Sequence, residues 1–503
     1  MDFLLNFGLG LKTAFSLVNL FYCFLGVFLG TIVGVLPGLG PAATISLLLS
    51  ITYRMDMTGA IILLAGVYYG AMYGGSTTSI LLRVPGEAAS VVTCIDGHEM
   101  AKRGRAGAAL GISAFGSFIA GTVGVVGLMF AAPTLSDWAL MIGSPEYVML
   151  MIMGLTLVTY LSGRSKIKAL MMAALGLILG SVGMDPLSSQ FRFTFGIVSL
   201  SNGIDIPILA MGLFGIAEIL SNVGKKEGPT ELIKTSTSLR NLLPNLGDWK
   251  RSIGPIVRGT FVGFFLGILP GGGAVIASFA SYAIERRKSK HPEEFGKGAI
   301  EGVAGPESAN NSATAGAFVP LLTLGIPSNA VMALILAAFM IHGVTPGPLI
   351  IKNNPEVFWG IVVSMYIGNL LLIILNVPLI GLFVKLLKVP NLVMYPLVVL
   401  VCFIGAFTTG NNPFDLLIVG ILGIIGYAMQ KLDYDPAPLV LAFVVGPILE
   451  RTLRQSLMIT GGDPSIFFTR PVSRILLIAI ILFLISPLFQ ILWRRRRGQP
   501  INI

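Results

Sequence analysis

The chain has 503 residues, of which 54% are hydrophobic and only 12% are charged, and its mean hydropathy is +0.85. Because a soluble domain carries about twice that share of charge, this composition excludes an ordinary soluble protein. The formal net charge of +10 does not indicate nucleic-acid binding, because the basic residues fall in short clusters between long apolar runs. These clusters, AKRGRAG, GRSKIK, NVGKK, IERRKSK and LWRRRRG, are typical of the cytoplasmic loops of a multi-pass membrane protein.

Uncharged runs recur along the chain, for example at 259–284, 308–351 and 389–412. Each reaches the roughly 20 residues that a bilayer-spanning helix needs. We therefore expect an all-α polytopic membrane protein with about 10–12 membrane spans.

The most polar long stretch, residues 225–252, is rich in basic residues and divides the chain near its middle. We expect it to be a cytoplasmic linker between two membrane repeats. The predicted organisation is a first repeat at 1–223, the linker at 224–254, a second repeat at 255–470, and an extra C-terminal span with a basic cytoplasmic tail at 471–503.

The two halves resemble each other at a nearly constant offset. GTIVGVLPGLG from Gly30 matches GFFLGILPGGG from Gly263, an offset of 233. IDIPILAMGLFG around Pro207 matches DPAPLVLAFVVG around Pro438, an offset of 231. Such a preserved offset predicts an internal duplication.

The positive loops differ between the halves. In the first half KRGR, SGRSK and GKK fall on one side of the predicted spans, but the loop that matches SGRSK is the uncharged TTGNN, and VKLLK and QKL carry the lysines instead. This exchange predicts an inverted-topology repeat, a construction found in many secondary transporters. ERTLRQS (450–456) does not fit the scheme, because it places these charges outside the cell.

Each half carries a Pro-Gly element within an uncharged run. In the second half Pro270 lies at the centre of 26 uncharged residues, 259–284, so that each arm has only about 11 to 14 residues and is too short to cross the bilayer. Basic residues bound both ends, which favours a re-entrant helical hairpin over a kinked span, the alternative reading. In the first half 24 uncharged residues, 13–36, precede Pro37. They are enough for a helix that crosses the whole membrane, so this remains an alternative to a hairpin there.

A polar tract follows each Pro-Gly element by some 40 residues. These tracts are YGGSTTSILLRVPGEAAS (73–90) and GPESANNSATAGAFVPLLTLGIPSNA (305–330). Hydroxyl and amide oxygens, with carbonyl groups freed at helix breaks, suit a sodium ion, and helix N-termini suit an anionic substrate. The alternative is that small polar residues only join helices.

We therefore predict a substrate and ion site at the two Pro-Gly elements and the two tracts. The sodium ion is assigned to Ser76, Thr77, Asn310 and Asn311, and no other metal is expected. The candidate residues are Pro37, Gly38, Gly40, Ser76, Thr77, Thr78, Ser79, Pro270, Gly271, Gly272, Glu307, Ser308, Asn310, Asn311, Ser312, Thr314, Ser328 and Asn329.

Charged residues in the tracts are interpreted separately. An acidic residue such as Glu307 at membrane depth costs about 2.5 to 3.5 kcal/mol and is usually retained for function, although Glu307 at the rim of the membrane remains an alternative. Arg83 and Glu87 flank Pro85, so they pair with each other or Arg83 binds a substrate carboxylate.

At these residues the chain resembles the TctA family, the large membrane subunit of the bacterial tripartite tricarboxylate transporters. The resemblance rests on GTIVGVLPGLGPAATISLLLS, YYGAMYGGSTTSILLRVPGE, CIDGHEMAKRGRAGAALG, ILPGGGAVIASFASYAIER, GVAGPESANNSATAGAFVPLLTLGIPSN and RQSL. It covers nearly the whole length of the chain.

The resemblance implies a multi-pass carrier in the bacterial inner membrane that works with a small membrane subunit of about four helices and a periplasmic solute-binding protein. It implies import of carboxylates, citrate-like tricarboxylates or dicarboxylates, by symport with sodium or protons and without a cofactor. A homo-oligomer remains open.

Other functions are weaker alternatives. No G-x-x-x-x-G-K-[ST] motif occurs, which favours an ion gradient over ATP as the energy source. A membrane-embedded enzyme using Ser308 or Glu307 needs a base in reach, and neither tract contains His or Lys. A stand-alone anion carrier, or a passive channel, is the remaining alternative.

Overall fold

A computed structural model describes residues 2–36, 40–161, 165–185, 188–223, 239–271, 273–386 and 391–496. These residues are almost entirely helical, which confirms the all-α class. One short antiparallel ladder pairs β1 (Gly183–Met184) with β2 (Phe191–Arg192).

In the first half the α-helices are α1 (Asp2–Ala14), α2 (Leu17–Val35), α3 (Pro41–Thr52), α4 (Met57–Leu82), α5 (Thr93–Met100), α6 (Ala106–Ala139), α7 (Ser144–Leu161), α8 (Lys166–Gly180), α9 (Ile206–Ala210) and α10 (Ala217–Asn222). Two 3₁₀ turns lie at Ala88–Val91 and Val198–Leu200, and two π-helical segments at Ala101–Arg105 and Met211–Ile216.

In the second half the helices are α11 (Leu239–Leu242), α12 (Leu246–Ile268), α13 (Gly273–Lys288), α14 (Glu301–Leu324), α15 (Ala330–Ile341), α16 (Ile350–Asn353), α17 (Pro355–Asn376), α18 (Ile380–Leu386), α19 (Asn391–Gly410), α20 (Pro413–Lys431), α21 (Ala437–Ile459), α22 (Ile466–Thr469) and α23 (Pro471–Arg496). A 3₁₀ turn at Pro292–Glu294 precedes α14.

Within the described residues, five helical stretches are long and apolar enough to cross a membrane: Leu17–Val35, Met57–Leu82, Thr93–Ala139, Pro355–Asn376 and Pro413–Lys431. Shorter apolar helices of 10–17 residues accompany them, including α3 and α15. The protein is therefore a multi-pass membrane protein by the length and composition of its helices. The total of 10–12 spans stays a prediction.

Two central helices, one from each half, form the core of the molecule. Every residue of α4 from Gly59 to Leu81 is buried, and so is every residue of α14 from Glu301 to Thr323. A helix buried on all sides faces protein rather than lipid, so polar residues along it are directed into the protein interior.

The start of α4 is determined locally, because the Asp56 carboxylate caps the helix by accepting from Gly59 N at 2.9 Å.

Glycines let neighbouring helices approach these central helices closely. A Cβ added at Gly30 of α2 would lie 2.5 Å from Val67 O of α4, and one added at Gly263 of α12 would lie 2.7 Å from Ala309 Cα of α14. The glycines of these two seams repeat every four residues and correspond at an offset of 233: Gly26, Gly30 and Gly34 in α2, and Gly259, Gly263 and Gly267 in α12. Small residues at this spacing allow close backbone contact between membrane helices.

Helices α12 and α13 flank the second Pro-Gly element and contact each other. Arg258 Nε donates to Glu285 Oε1 at 2.9 Å, although the Glu285 side chain is only 1% exposed. Helix α12 has 23 residues and is longer than the predicted arm, because the capping box of Asn245 and Asp248 starts it at Leu246, inside the predicted linker range.

A charged group joins the start of α12 to the turn before α14. Arg251 donates to Glu294 at 2.6 Å and to Glu301 at 2.8 Å. The hydrogen bond from the Arg251 guanidinium holds the pKa of the Glu294 carboxyl below its usual value, because it stabilises the ionised form.

Basic loops that are distant in sequence lie together at one end of the helices. Lys168 Nζ donates to Leu432 O at 2.6 Å, and Gln430 Nε2 donates to Glu218 Oε2 at 3.3 Å. These contacts join the starts and ends of α8, α10 and α20, which the sequence analysis places in the cytoplasm.

A second charged group lies at the opposite end of α8 and α21. Arg192 Nη1 donates to Glu450 Oε1 at 2.9 Å, and Arg454 Nη1 donates to Asp185 Oδ2 at 3.1 Å. Glu450 and Arg454, two of the charges of ERTLRQS that did not fit the positive-loop scheme, are thus paired with the segment around the β1–β2 ladder. Because these arginines are paired with carboxylates, their positive charge is partly neutralised on the face that the positive-loop scheme places outside.

Candidate functional site

The polar tract of the second half lies near the middle of α14. Glu307, Asn310, Asn311 and Thr314 have the spacing i, i+3, i+4 and i+7, so their side chains share one face of the helix. All four are buried. The helix therefore directs one stripe of oxygen- and nitrogen-bearing side chains into the protein interior.

Glu307 joins this stripe to the first half of the chain. Its Oε2 accepts from Ser76 Oγ of α4 at 2.5 Å, and its Oε1 accepts a short hydrogen bond from Thr93 Oγ1 at the start of α5. The Glu307 side chain is 1% exposed, so it lies in the core and not at the rim of the helix bundle. The two polar tracts predicted from the sequence therefore meet at this carboxylate.

A second buried carboxylate lies close by. Glu87 follows the break after α4 and is 8% exposed. Its Oε1 accepts from Asn310 Nδ2 at 3.2 Å, and its Oε2 accepts from Ala89 N at 2.5 Å. Asn310 thus bridges α14 to the helix break of the first half.

The pairing of Arg83 with Glu87 does not form in the described structure. Arg83 is exposed and adopts a left-handed backbone conformation with φ of 60° at the end of α4, whereas Glu87 is turned inward to Asn310. Arg83 as a ligand of a substrate carboxylate stays a prediction.

Asn311 completes the group on the α6 side. Its Nδ2 donates to Ser117 Oγ at 2.7 Å and to Glu307 O at 3.1 Å. Among the described residues, no hydrogen-bond partner is found for three buried oxygens of this stretch: Ser308 Oγ, Asn310 Oδ1 and Asn311 Oδ1. Unpartnered buried oxygens are costly in a helical membrane protein, so these three are free to accept from an ordered water or a further group.

A small cavity of about 10 Å³ adjoins this group and is lined in part by Asn311, Thr314 and Asn369. This volume is about the smallest that holds one water molecule or an ion of similar size. Asn369 of α17 also accepts from Tyr73 OH at 3.0 Å. The cavity thus lies where polar groups from both halves of the chain converge.

The second helix break lies against the second Pro-Gly element. Gly271 N donates to Ser328 O at 2.7 Å, and Gly271 has a φ of 77°, which a glycine adopts without strain. The next residue, Asn329, caps α15 by accepting from Met332 N at 2.9 Å, and its Nδ2 donates to Tyr68 OH at 3.1 Å. The second Pro-Gly element thus contacts the second polar tract, and Asn329 joins that tract to α4.

Other predicted residues have structural partners of their own. Thr78 donates to Val35 O at 2.6 Å, and Ser312 donates to Thr260 O at 2.7 Å. Ser79 donates to Ser90 Oγ at 2.9 Å. Thr77 and the hydroxyl group of Ser328 are buried and have no hydrogen bond within this group. Gly40 and Pro270 of the two Pro-Gly elements are partly buried, and Pro37, Gly38 and Gly272 lie outside the described residues.

Several residues of this group were not predicted from the sequence as site residues. Glu87, Thr93 and Ser117 contact the predicted residues directly, and Tyr68 and Asn369 extend the polar group on two sides. Glu87 carried a usable signal, because it is an acidic residue in an apolar region, as is Glu307. The others are ordinary polar residues whose role depends on how the helices pack.

The described residues contain no group of three or more His, Cys, Asp and Glu side chains that would hold a metal ion. Ser308 Oγ has no hydrogen-bond partner among them, and a serine nucleophile needs a neighbouring base.

Residues 20–441 match the model of the Tripartite tricarboxylate transporter TctA family. A protein in the TAR-I ttuC' 3' region of Agrobacterium vitis is 50% identical over 477 residues, covering 95% of this chain and 94% of that protein. A protein in the TAR-II ttuC' 3' region of the same organism is 55% identical over 215 residues, covering 43% of this chain and 89% of that protein. No solved structure matches the chain. Because the family model covers most of its length, and a relative of equal extent shares half of its residues, the chain belongs to the TctA family.

Proposed function

We propose that this protein is the large transmembrane subunit of a carboxylate importer of the bacterial inner membrane. It works with a small membrane subunit of about four helices and with a periplasmic solute-binding protein. Uptake of a di- or tricarboxylate is driven by a sodium or proton gradient. The observation that carries the proposal is the meeting of the polar tracts of both halves at Glu307, in the buried centre between α4 and α14.

We also propose that the two halves are inverted repeats whose Pro-Gly elements form re-entrant hairpins. The glycine seams of α2 and α12, which correspond at an offset of 233, support the repeat. The Arg258–Glu285 pair between α12 and α13 supports the second hairpin, since it holds two helices together whose outer ends are both basic. Broken helices that meet near mid-membrane suit alternating access better than a continuous pore.

The substrate site lies in this proposal where the broken helices converge. Ser328 and Asn329 at the start of α15 contribute backbone and amide donors for an anionic substrate. The stripe of Glu307, Asn310 and Asn311 contributes oxygens for the coupling ion. Substrate and ion then bind to adjacent parts of one polar region, which is what coupling of their transport requires.

The test is uptake of radiolabelled di- and tricarboxylates into proteoliposomes that contain this protein with its two partners. We expect uptake to depend on an imposed sodium or proton gradient and on both partners. The Asn310→Ala/Asn311→Ala double variant should lower uptake by at least about tenfold, equivalent to about 1.4 kcal/mol.

The matched control is Asn376→Ala. Asn376 is also a buried asparagine, but its Nδ2 donates to Leu372 O of its own helix at 3.0 Å. This variant should transport as the unmodified protein does. Uptake that follows the substrate gradient alone would support a channel and contradict the proposal.

A further inference from the structure

A cavity of about 470 Å³ lies between the start of α6, helix α11 and the start of α12. Its charged lining residues are Arg105, Arg240 and Asp248, and its described lining includes no residue of the polar group around Glu307. Clusters of basic residues precede both α6 and α12, so the positive-loop scheme places this end of the helices in the cytoplasm. A cavity of this size has room for a small organic group.

One wall of the cavity is formed by α11, which is packed tightly against α6. A Cβ added at Gly107 of α6 would lie 2.1 Å from Asn241 O, and one added at Gly111 would lie 1.8 Å from Leu242 O. Leu242 is fully buried in this contact. Because these glycines bring the backbone of α11 onto α6, they hold Arg240 of α11 beside the start of α6.

The charged side chains that line the cavity have a net positive charge. Arg105 donates to Asp248, and Asp248 Oδ2 also accepts from Asn245 N at 3.2 Å, so this carboxylate already has its partners. Arg240 is exposed, and none of the described acidic residues forms an ion pair with it. The guanidinium group of Arg240 is therefore available to an anion, and the first turns of α6 and α12 add the positive ends of their helix dipoles.

An exposed apolar stripe runs along α12 from the rim of this cavity. Its residues are separated by seven, four, four and four positions, so they share one face of the helix. They are Leu246, Ile253, Val257, Phe261 and Phe265, each between 48% and 81% exposed. Leu246 directly follows Asn245, which lines the cavity. The apolar stripe therefore begins where the polar lining ends.

The position of Trp249 marks the depth of the cavity in the membrane. Trp249 lies one turn into α12 and contacts Phe115 of α6, with ring centroids 5.8 Å apart. Tryptophan is enriched where the acyl chains of a bilayer meet its headgroups. The cavity is therefore at the level of the headgroups, and the stripe extends from it toward the acyl chains.

A positive cavity at the end of an apolar stripe has the two parts that bind an anionic phospholipid. A guanidinium group donates parallel hydrogen bonds to a phosphate, and the acyl chains of the same lipid can lie along the exposed face of α12. A free phosphate would leave the stripe unused, and a zwitterionic lipid brings a cation that the arginines repel. Basic pockets at the cytoplasmic ends of membrane helices bind anionic headgroups for these reasons.

We propose that this cavity binds the phosphate group of an anionic phospholipid from the cytoplasmic leaflet. Arg240 and Arg105 hold the phosphate, and Leu246 with the stripe behind it contacts the acyl chains. Because α6 and α12 belong to different halves of the chain, the bound lipid contacts both halves and stabilises their packing at this end. This ligand is distinct from the carboxylate and the coupling ion of the proposed importer.

The experiment measures thermal unfolding of the purified, delipidated protein in detergent while dioleoylphosphatidylglycerol is added. We expect a saturable rise of the unfolding temperature, because a ligand that binds the folded state stabilises it. Dioleoylphosphatidylcholine should give a smaller rise, since its acyl chains are the same but its headgroup has no net charge. Inorganic phosphate should give no rise, since it lacks acyl chains.

Arg240→Gln should weaken the affinity for phosphatidylglycerol by about fivefold, which is the effect of one basic residue near an anionic lipid surface. Arg240 is exposed and has no ion pair in the described structure, so without lipid this variant should unfold at the temperature of the unmodified protein. Leu246→Ser should also weaken the affinity, because it removes apolar contact with the acyl chains.

The matched control is Arg103→Gln, which removes the same charge from the same end of the helices. Arg103 is exposed but is not among the described lining residues of the cavity. The affinity for phosphatidylglycerol should be unchanged in this variant.

Equal affinity of Arg240→Gln and the unmodified protein for phosphatidylglycerol would overturn the inference. An equal loss in Arg103→Gln would also overturn it, because the lipid would then be attracted by the basic face as a whole and not by the cavity. Equal stabilisation by inorganic phosphate would show a site for free phosphate, and equal stabilisation by phosphatidylcholine would show that the headgroup charge has no role. Because none of these measurements involves a carboxylate, their outcome leaves the proposed importer untouched.

Discussion

Single glycines determine how closely the helices of this protein approach one another. At Gly263 the space for a side chain is already occupied by the backbone of α14. Gly420 of α20 has no such neighbour, because nothing lies within 4 Å of a Cβ added there. We therefore expect substitution by alanine to have opposite effects on stability at these two glycines.

Gly263→Ala should destabilise the protein by about 1–3 kcal/mol, because the added methyl group forces α12 away from α14. Gly420→Ala is the matched control and should be neutral or stabilising by up to about 1 kcal/mol, because alanine favours a helix. Thermal unfolding of the purified variants in detergent measures both. Equal unfolding temperatures for the two variants would contradict the close contact between α12 and α14.

The type of residue alone did not show which polar side chains of the two tracts join the central polar group and which only hydrogen-bond to neighbouring helices. Asn310 and Asn311 are adjacent in sequence, yet one binds the helix break of the first half and the other binds Ser117 of α6. Hydroxyl residues of the first tract divide in the same way, because Ser76 contacts Glu307 whereas Thr78 donates to the backbone of α2. Spacing along the helix decides which face a side chain occupies, but only the packed structure decides which helix that face meets.

At the scale of elements, the pair α12 and α13 is joined by a charge pair with unequal burial. Glu285 is buried and Arg258 is partly exposed. Removing the arginine leaves a buried carboxylate without its partner, whereas removing both charges does not. We therefore expect the loss of Arg258 to lower the free energy of unfolding by more than the ion pair itself contributes.

Arg258→Ala should destabilise the protein by about 2–4 kcal/mol, and the Arg258→Ala/Glu285→Gln double variant should recover part of that loss. Lys102→Ala is the control, because Lys102 forms an exposed pair with Glu99 that contributes about 1 kcal/mol at most. Thermal unfolding in detergent again supplies the measurement. A double variant less stable than Arg258→Ala would show that the unpaired carboxylate is not the cause.

At the scale of the whole molecule, charged contacts divide the ends of the helices into two groups. Lys168 and Leu432 lie at one end, and Arg192 and Glu450 lie at the other, with α8 and α21 running between them. The positive loops predict that the first group is cytoplasmic. In the proposed inverted repeat, corresponding loops of the two halves lie on opposite faces.

Cysteine labelling in intact cells tests this orientation. The native cysteines Cys23, Cys94 and Cys402 are buried, so an introduced exposed cysteine gives the signal. A membrane-impermeant maleimide should label Ser188→Cys and Asp463→Cys from outside, and should label Lys290→Cys and Leu432→Cys only after the membrane is opened. Labelling of Leu432→Cys in intact cells would contradict the proposed inversion of the second half.

The sequence by itself determined the class of this protein, because apolar runs of membrane length and clustered basic residues have few other physical explanations. It also located the polar tracts and marked Glu307, since an acidic residue in an apolar run is costly and therefore informative. The tertiary structure decided which oxygens are brought together. Glu87 and Asn310 are 223 positions apart and Ser76 and Glu307 are 231 apart, and these contacts depend on how closely packed helices place one face against another, a property that no local pattern contains.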